Sequence, residues 1–299
     1  MLAYERTPVV RIVNDTTEQA QCALFVKRED LNHPTVSGNK WWKLRDNLAE
    51  AARLNKPLLT FGGAYSNHIY ATAAATHILQ MKSIGVIRGE RPKVLSNTLA
   101  FAEQCGMQLH FVTREQYRHK TSAQFHQQLH SQFGDFYLVP EGGSNSLAVG
   151  ACCEWGNMLS RETPTDFVCV AVGTGGTLAG LSLGLANRIQ LLGIAVLKDA
   201  FFLDGEIRKL TTATNWKLNY DYHFGGYAKT NIALNNFITE FEQRHAVPLD
   251  FVYTAKMLYA VLDLMKKGFF DKGSSILAIH TGGLQGLNSH AHHAAQPGK

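Results

Sequence analysis

Cysteine is scarce in this chain of 299 residues. There are five, Cys22, Cys105, Cys152, Cys153 and Cys169, with no CxxC spacing and no histidine at metal-ligand spacing. A disulfide scaffold and a zinc site are excluded, and a reducing compartment is expected. No stretch reaches the roughly 18 apolar residues of a membrane span, and the opening MLAYERTPVVRIV lacks the apolar segment of a signal peptide. Runs of like charge are missing too: 29 basic and 24 acidic residues are dispersed along the chain, for a net charge of +5. Neither nucleic acid nor membrane is therefore an expected partner, and the cytoplasm is the expected location. No internal repeat occurs. The one biased segment, NSHAHHAAQPGK (288–299), reads as a frayed terminus, and His290, His292 and His293 are not expected to form a designed metal site.

What the chain does have is apolar content, 45% of residues, enough for a large core and two lobes. Short apolar runs alternate with helical patterns. LLTF (58–61), IGVI (84–87), MQLHFV (107–112), FYLV (136–139), FVCVAV (167–172), LLGIAVL (191–197) and ILAIH (276–280) read as strands. Helices are expected over 66–80, 114–133, 147–160 and 177–190. Strands this apolar have no wet face, so the expected fold is α/β: three layers, α/β/α, with mostly parallel sheets. Cys169, inside FVCVAV, reads as a small buried hydrophobe.

Glycine-bearing turns follow four of these strands: FGGAYSNH (61–68), PEGGSNS (140–146), VGTGGTLAG (172–180) and HTGGLQG (280–286). In open α/β sheets, ligands bind at the carboxyl ends of strands. VGTGGTLAG opens a helix, so backbone amides and the helix N-terminus can converge on an anion, most naturally a phosphate. Gly173, Gly175 and Gly176 allow close approach, and Thr174 and Thr177 add hydroxyls. A purely structural capping turn is the plain alternative. A dinucleotide fingerprint would need a third glycine where Leu178 stands, although Asp199 could serve as its ribose partner. Ser66 is a sensible helix N-cap; the amides of Ser66, Asn67 and His68 could also receive a carboxylate. In SGNKWWKL (37–44), Lys40 directly follows a Gly-Asn pair. It is either a surface lysine at a helix start or a desolvated amine able to form a Schiff base.

Taken together, GNKxxKL, GGxxSNH, PEGGSN, GTGGTxAG, VYTxKM and IHTGG resemble the pyridoxal-phosphate enzymes of the tryptophan-synthase β fold. More narrowly, they resemble the branch holding D-cysteine desulfhydrase and 1-aminocyclopropane-1-carboxylate deaminase. The matches run collinearly from KRED (27–30) to HTGG (280–283). The resemblance implies pyridoxal 5'-phosphate as cofactor, a small amino-acid substrate and a homodimer. Lys40 matches the Schiff-base lysine, Lys43 one that reaches the cofactor phosphate, and Asn67 the partner of the ring 3′-oxygen. The 173–177 turn matches the phosphate cradle. Ser66, Tyr227 and Tyr253 match active-site residues.

Ring-opening members of the branch are expected to carry Glu and Leu where this chain has Thr254 and Thr281. A hydroxyl near the pyridine nitrogen makes the ring a weaker electron sink than a carboxylate does. That favours α,β-elimination from a small D-amino acid, giving pyruvate, ammonia and sulfide from D-cysteine, over opening of a cyclopropane. Lys40, or Tyr253 with Ser66, would take the α-proton. Trp41-Trp42 and His68 depart from the expected pattern and are expected to border the substrate pocket. Residues 1–42 with 149–299 would form the cofactor lobe, and 43–148 an inserted smaller lobe. The rival readings are a nicotinamide oxidoreductase and a non-catalytic cofactor-binding protein.

Overall fold

The computed structural model describes residues 2–185 and 188–286; the histidine-bearing tail lies outside them. The strands are β1 (Val9–Ile12), β2 (Ala23–Lys27), β3 (Leu58–Gly62), β4 (Ser83–Arg88), β5 (Gln108–Val112), β6 (Tyr137–Val139), β7 (Phe167–Val172), β8 (Gln190–Ala195), β9 (Trp216–Asn219) and β10 (Ser275–Ile279). They form a six-stranded sheet in the order β1-β2-β10-β7-β8-β9 and a four-stranded sheet in the order β5-β4-β3-β6. Every pairing is parallel except that of β1 with β2. The three-layer, mostly parallel α/β architecture expected from the apolar runs is the one observed.

The alternation along β7 shows why these runs needed no polar face. Cys169 and Ala171 point into one core, with Met257 and Leu258 of the helix Thr254–Lys266. Val168, Val170 and Val172 point into the other, with Leu178 and Leu181 of the helix Gly176–Gly184 and with Trp155. Successive side chains leave a strand on opposite faces, and here both faces are covered. Trp42 stacks on Trp155 at 5.6 Å, with the rings 5° from parallel. The stack ties the helix Asn39–Arg53 to the helix Ser146–Glu162, and truncating either ring would cost roughly 3–5 kcal/mol.

Three strands carried no sequence signal: β1 and β9 are short edge strands of mixed polarity, and β2 is the antiparallel partner of β1. The helix expected over 114–133 is two, Arg114–Arg118 and Ala123–Phe133, each N-capped by its own hydroxyl, Thr113 and Ser122. The helix expected to reach residue 190 ends at Gly184. The Trp pair is not among the residues that line the cavity between the sheets. Trp41 and Trp42 are 6% and 5% exposed, and their indole N–H groups donate to Ala3 O and Glu29 Oε2.

Candidate active site

A cavity of about 320 Å³ opens where the carboxyl ends of the two sheets face each other. From the small sheet come the 63–68 turn after β3, Arg88 at the end of β4, and Glu141 and Gly142 after β6. From the large sheet come Gly173, Thr174, Gly175 and Thr177 after β7, Leu197 beyond β8, and Thr281 after β10. Asn39, Lys40, Lys43, Tyr227 and Tyr253 complete the wall.

Lys40 owes its position to Gly38. This residue caps the helix Asn39–Arg53 at φ 68°, ψ −144°, and a Cβ there would lie 1.9 Å from Thr281 O. Only glycine fits that conformation and that approach. The Lys40 amine donates to Asn39 Oδ1 at 3.1 Å, and Asn39 Nδ2 donates to Thr177 Oγ1 at 2.9 Å. One turn on, Lys43 donates to Ser144 Oγ at 3.0 Å, and Ser144 bonds Thr174 Oγ1 at 2.8 Å. Both amines thus lead through one polar residue to the same glycine turn. Neither has a carboxylate in ion-pair range among the described residues. Burial lowers Lys40 from 10.5 to about 8, against smaller upward pulls from Cys152 and Asp250. Lys43 falls to about 7, through burial first and the charge of Lys40 second.

The turn itself is open to an anion. Gly175, the N-cap of the helix Gly176–Gly184, offers no side-chain cap, and the first amides of any helix lack intrahelical partners. A Cβ on Gly176 would lie 2.6 Å from Ser144 Oγ and 3.1 Å from Lys43 Nζ. Bare amides, two uncompensated amines and hydroxyls around a space kept free of side chains fit a phosphate group.

Across the cavity, Ser66 caps the helix Asn67–Ile78 by accepting from Ile69 N at 3.3 Å, leaving its own proton free to donate. Asn67 Oδ1 accepts from Gln285 Nε2 at 2.5 Å, which leaves the amide nitrogen of Asn67 as a donor. His68 is 2% exposed. Thr60 Oγ1 donates its one proton to Val139 O at 2.8 Å and therefore accepts from His68 Nε2–H at 2.8 Å. The imidazole is fixed as the neutral Nε2–H tautomer, and Nδ1 has no partner in the protein. Burial, then the nearby charges of Lys40 and Lys43, hold its pKa well below 6.5.

Tyr227 and Tyr253 meet edge-on at 6.1 Å. Burial raises both phenols, Tyr253 well above 10. Tyr253 is set by Asp250, whose carboxylate accepts the backbone N–H of Val252, Tyr253 and Thr254 and the Thr254 hydroxyl, all within 2.8–2.9 Å. Thr281 lines the cavity, but Thr254 is fully buried behind the wall with its hydroxyl committed to Asp250. The loop carrying Tyr227 is tied down by Lys256, which donates to His223 O and Gly226 O at 2.8 and 2.7 Å.

The structure thus brings together Lys40, Lys43, Ser66, Asn67, His68, Tyr227, Tyr253, Thr281 and the 173–177 turn, and keeps Thr254 out of the wall. Asn39, Ser144 and Gln285 were not among the expected site residues, although Asn39 adjoins Lys40 and the other two stand inside the 140–146 and 280–286 glycine turns. Nor was Arg88, whose only signal was its place at a strand's carboxyl end.

The family profile described as "Pyridoxal-phosphate dependent enzyme" matches residues 1–282. A Pyrococcus furiosus protein provisionally named 1-aminocyclopropane-1-carboxylate deaminase is 32% identical over 286 residues, 88% of this chain and 85% of its own. A bifunctional D-cysteine desulfhydrase/1-aminocyclopropane-1-carboxylate deaminase of Arabidopsis thaliana is 30% identical over 293 residues, 88% of this chain and 73% of its own. Among solved structures, a homologue of that deaminase superposes with a TM-score of 0.86 at 27% identity, covering 98% of this chain and 94% of the other.

Proposed function

Since the chain belongs to the pyridoxal-phosphate-dependent enzymes, in the branch of 1-aminocyclopropane-1-carboxylate deaminase and D-cysteine desulfhydrase, we propose that it eliminates the β-substituent of a small D-amino acid. D-cysteine and water would give pyruvate, ammonia and sulfide. The observation that carries this reading is the convergence of a depressed amine, Lys40, with an uncapped helix N-terminus in one cavity.

The amides of the 173–177 turn and the Lys43 amine would hold the cofactor phosphate, Asn67 would donate to its ring oxygen, and Lys40 would be the point of attachment. When bound, the cofactor supplies a sink for the electron pair left at the α-carbon. The helix start at Ser66, Asn67 and His68 receives the substrate carboxylate. Lys40 then takes the α-proton. An amine near 8 is half-neutral close to physiological pH, whereas a phenol raised well above 10 keeps its proton. Tyr253 and Tyr227 therefore act as donors toward the substrate rather than as the base. In the same reading, residues 43–148 close over substrate as the smaller lobe, and two chains assemble as a cytoplasmic homodimer.

The second reading, 1-aminocyclopropane-1-carboxylate deaminase, draws on the names of the relatives. Against it stands the cavity wall, in which Glu141 is the only carboxylate among the described residues. No second acid of that wall stands ready to hold the ring nitrogen protonated. The test is an absorbance spectrum with borohydride trapping, followed by product analysis. D-cysteine and β-chloro-D-alanine should yield pyruvate, whereas the cyclopropane amino acid would yield a four-carbon keto acid. Lys40→Ala should remove the visible adduct and lower turnover on the order of 10³-fold or more; full turnover in that variant overturns the assignment.

A further inference from the structure

The outer end of the cavity carries a cation that the reaction as described does not use. Arg88 closes β4 on the exposed side of the wall, with its guanidinium over the Tyr117 ring at 5.9 Å. Its Nη2 lies 3.6 Å from where a Cβ on Gly63 would stand, so the missing side chain leaves the fork open to the turn that leads into Ser66. Glu141, the carboxylate of the same cavity wall, is engaged elsewhere. Glu141 accepts from the Tyr117 hydroxyl at 2.8 Å and pairs with Lys120 at 3.4 Å, and Lys120 itself sits over the same ring at 5.1 Å. Both cations thus lie near the Tyr117 ring, Glu141 pairs with Lys120 alone, and no described carboxylate lies within ion-pair distance of Arg88. Further along the chain, Arg91 has its own partner in Glu103, at 2.6 Å.

We propose that Arg88 selects an amino acid whose β-substituent is itself an anionic group, a sulfonate or a phosphate ester. This rests on the elimination reading above. The α-carboxylate takes the helix start at Ser66–His68, which leaves the planar fork of Arg88 for a second oxyanion. In the reaction, the Cα–H and Cβ–X bonds break. The proton goes to Lys40, and X departs with the bonding pair as sulfite or phosphate, beside a guanidinium that stabilises its charge. Water converts the unsaturated amine left behind to pyruvate and ammonia.

The experiment compares holoenzyme and its Arg88→Gln and Arg88→Lys variants. The substrates are β-chloro-D-alanine, O-phospho-D-serine and 2-amino-3-sulfo-D-propionate. Binding of D-aspartate and D-alanine, which carry no leaving group, is measured by calorimetry. Wild type should favour at least one anionic substrate over the chloro compound in kcat/KM and should bind D-aspartate tighter than D-alanine. Arg88→Gln should shrink both ratios about 10- to 100-fold, the weight of hydrogen bonds to a charged group, and Arg88→Lys should restore part of the loss. Which anionic substrate leads identifies the group. Equal binding of D-aspartate and D-alanine in wild type, or a parallel fall on neutral and anionic substrates in Arg88→Gln, overturns the proposal. Pyruvate from β-chloro-D-alanine alongside equal aspartate and alanine binding leaves the elimination reading standing. Absence of keto acid from every substrate overturns that reading, while the two binding constants still report on Arg88.

Discussion

Lys27 and Lys43 are almost equally hidden, at 1% and 2% exposure, yet their surroundings differ in kind. Lys27, at the end of β2, donates to Thr7 O at 2.9 Å and lies 3.9 Å from Glu29 and 3.7 Å from Glu162. Glu29 in turn accepts from Tyr4, Thr7, Asn32 and Trp42. Around Lys43 there is one hydroxyl and a second amine. The first region is a closed network in which each charge is answered from within the protein. The second is left unanswered, and an unanswered buried charge marks the place where a ligand's charge belongs. Lys256 lies between the two kinds: two carbonyls accept from it, yet burial lowers it to about 8.

The comparison can be broken most forcefully at Glu29. Glu29→Ala removes one of the two carboxylates beside the buried Lys27 and the acceptor of four donors, and should destabilise by about 3–5 kcal/mol in denaturant unfolding. A loss under 1 kcal/mol would show that the network is not closed as described. Lys43→Met should do the reverse on the folding side, leaving the cofactor-free protein as stable or more stable. The same variant should weaken pyridoxal phosphate by roughly 1.5–3 kcal/mol, read from a reconstitution titration.

The smallest effect is in pH. Lys43, Lys40 and Lys256 titrate at about 7, about 8 and about 8 in the fold but at about 10.5 in an unfolded chain. Between those values the unfolded state binds more protons, so the cofactor-free protein should gain stability as pH rises from 7 to 9. Above 9 the gain is opposed, because the Cys152 thiol, pushed up to about 12 by burial, keeps in the fold a proton that the unfolded chain loses. A melting temperature that falls steadily from pH 7 to 9 would contradict the assignment of uncompensated amines. The rate of Schiff-base formation by cofactor-free protein should climb through the same range with a midpoint near 8.

Legibility followed the range of the interactions involved. β3, β4, β7, β8 and β10 were readable because a strand buried on both faces must be apolar throughout, and the cradle because glycine has few other reasons to cluster before a helix. Ser66 was readable as a cap because capping is local. Gln285 on Asn67, Asp250 under Tyr253 and Arg88 beside Gly63 are contacts between distant parts of the chain, and no spacing rule reaches them. The Trp41-Trp42 pair misled for the same reason: proximity to Lys40 in sequence implied the pocket, but a helix sends neighbouring positions to different faces. The roles of the site residues came from the resemblance, not from pattern.

The fit of Gly38 against Thr281 has a consequence for biosynthesis. β10, the strand that ends beside Thr281, is the last among the described residues yet sits inside the large sheet, between β2 and β7. A chain emerging from the ribosome has made the reactive amine long before the backbone that orients it. Nascent or prematurely terminated copies should thus be unable to capture the aldehyde in productive form, and the holoenzyme should arise only after translation reaches that strand.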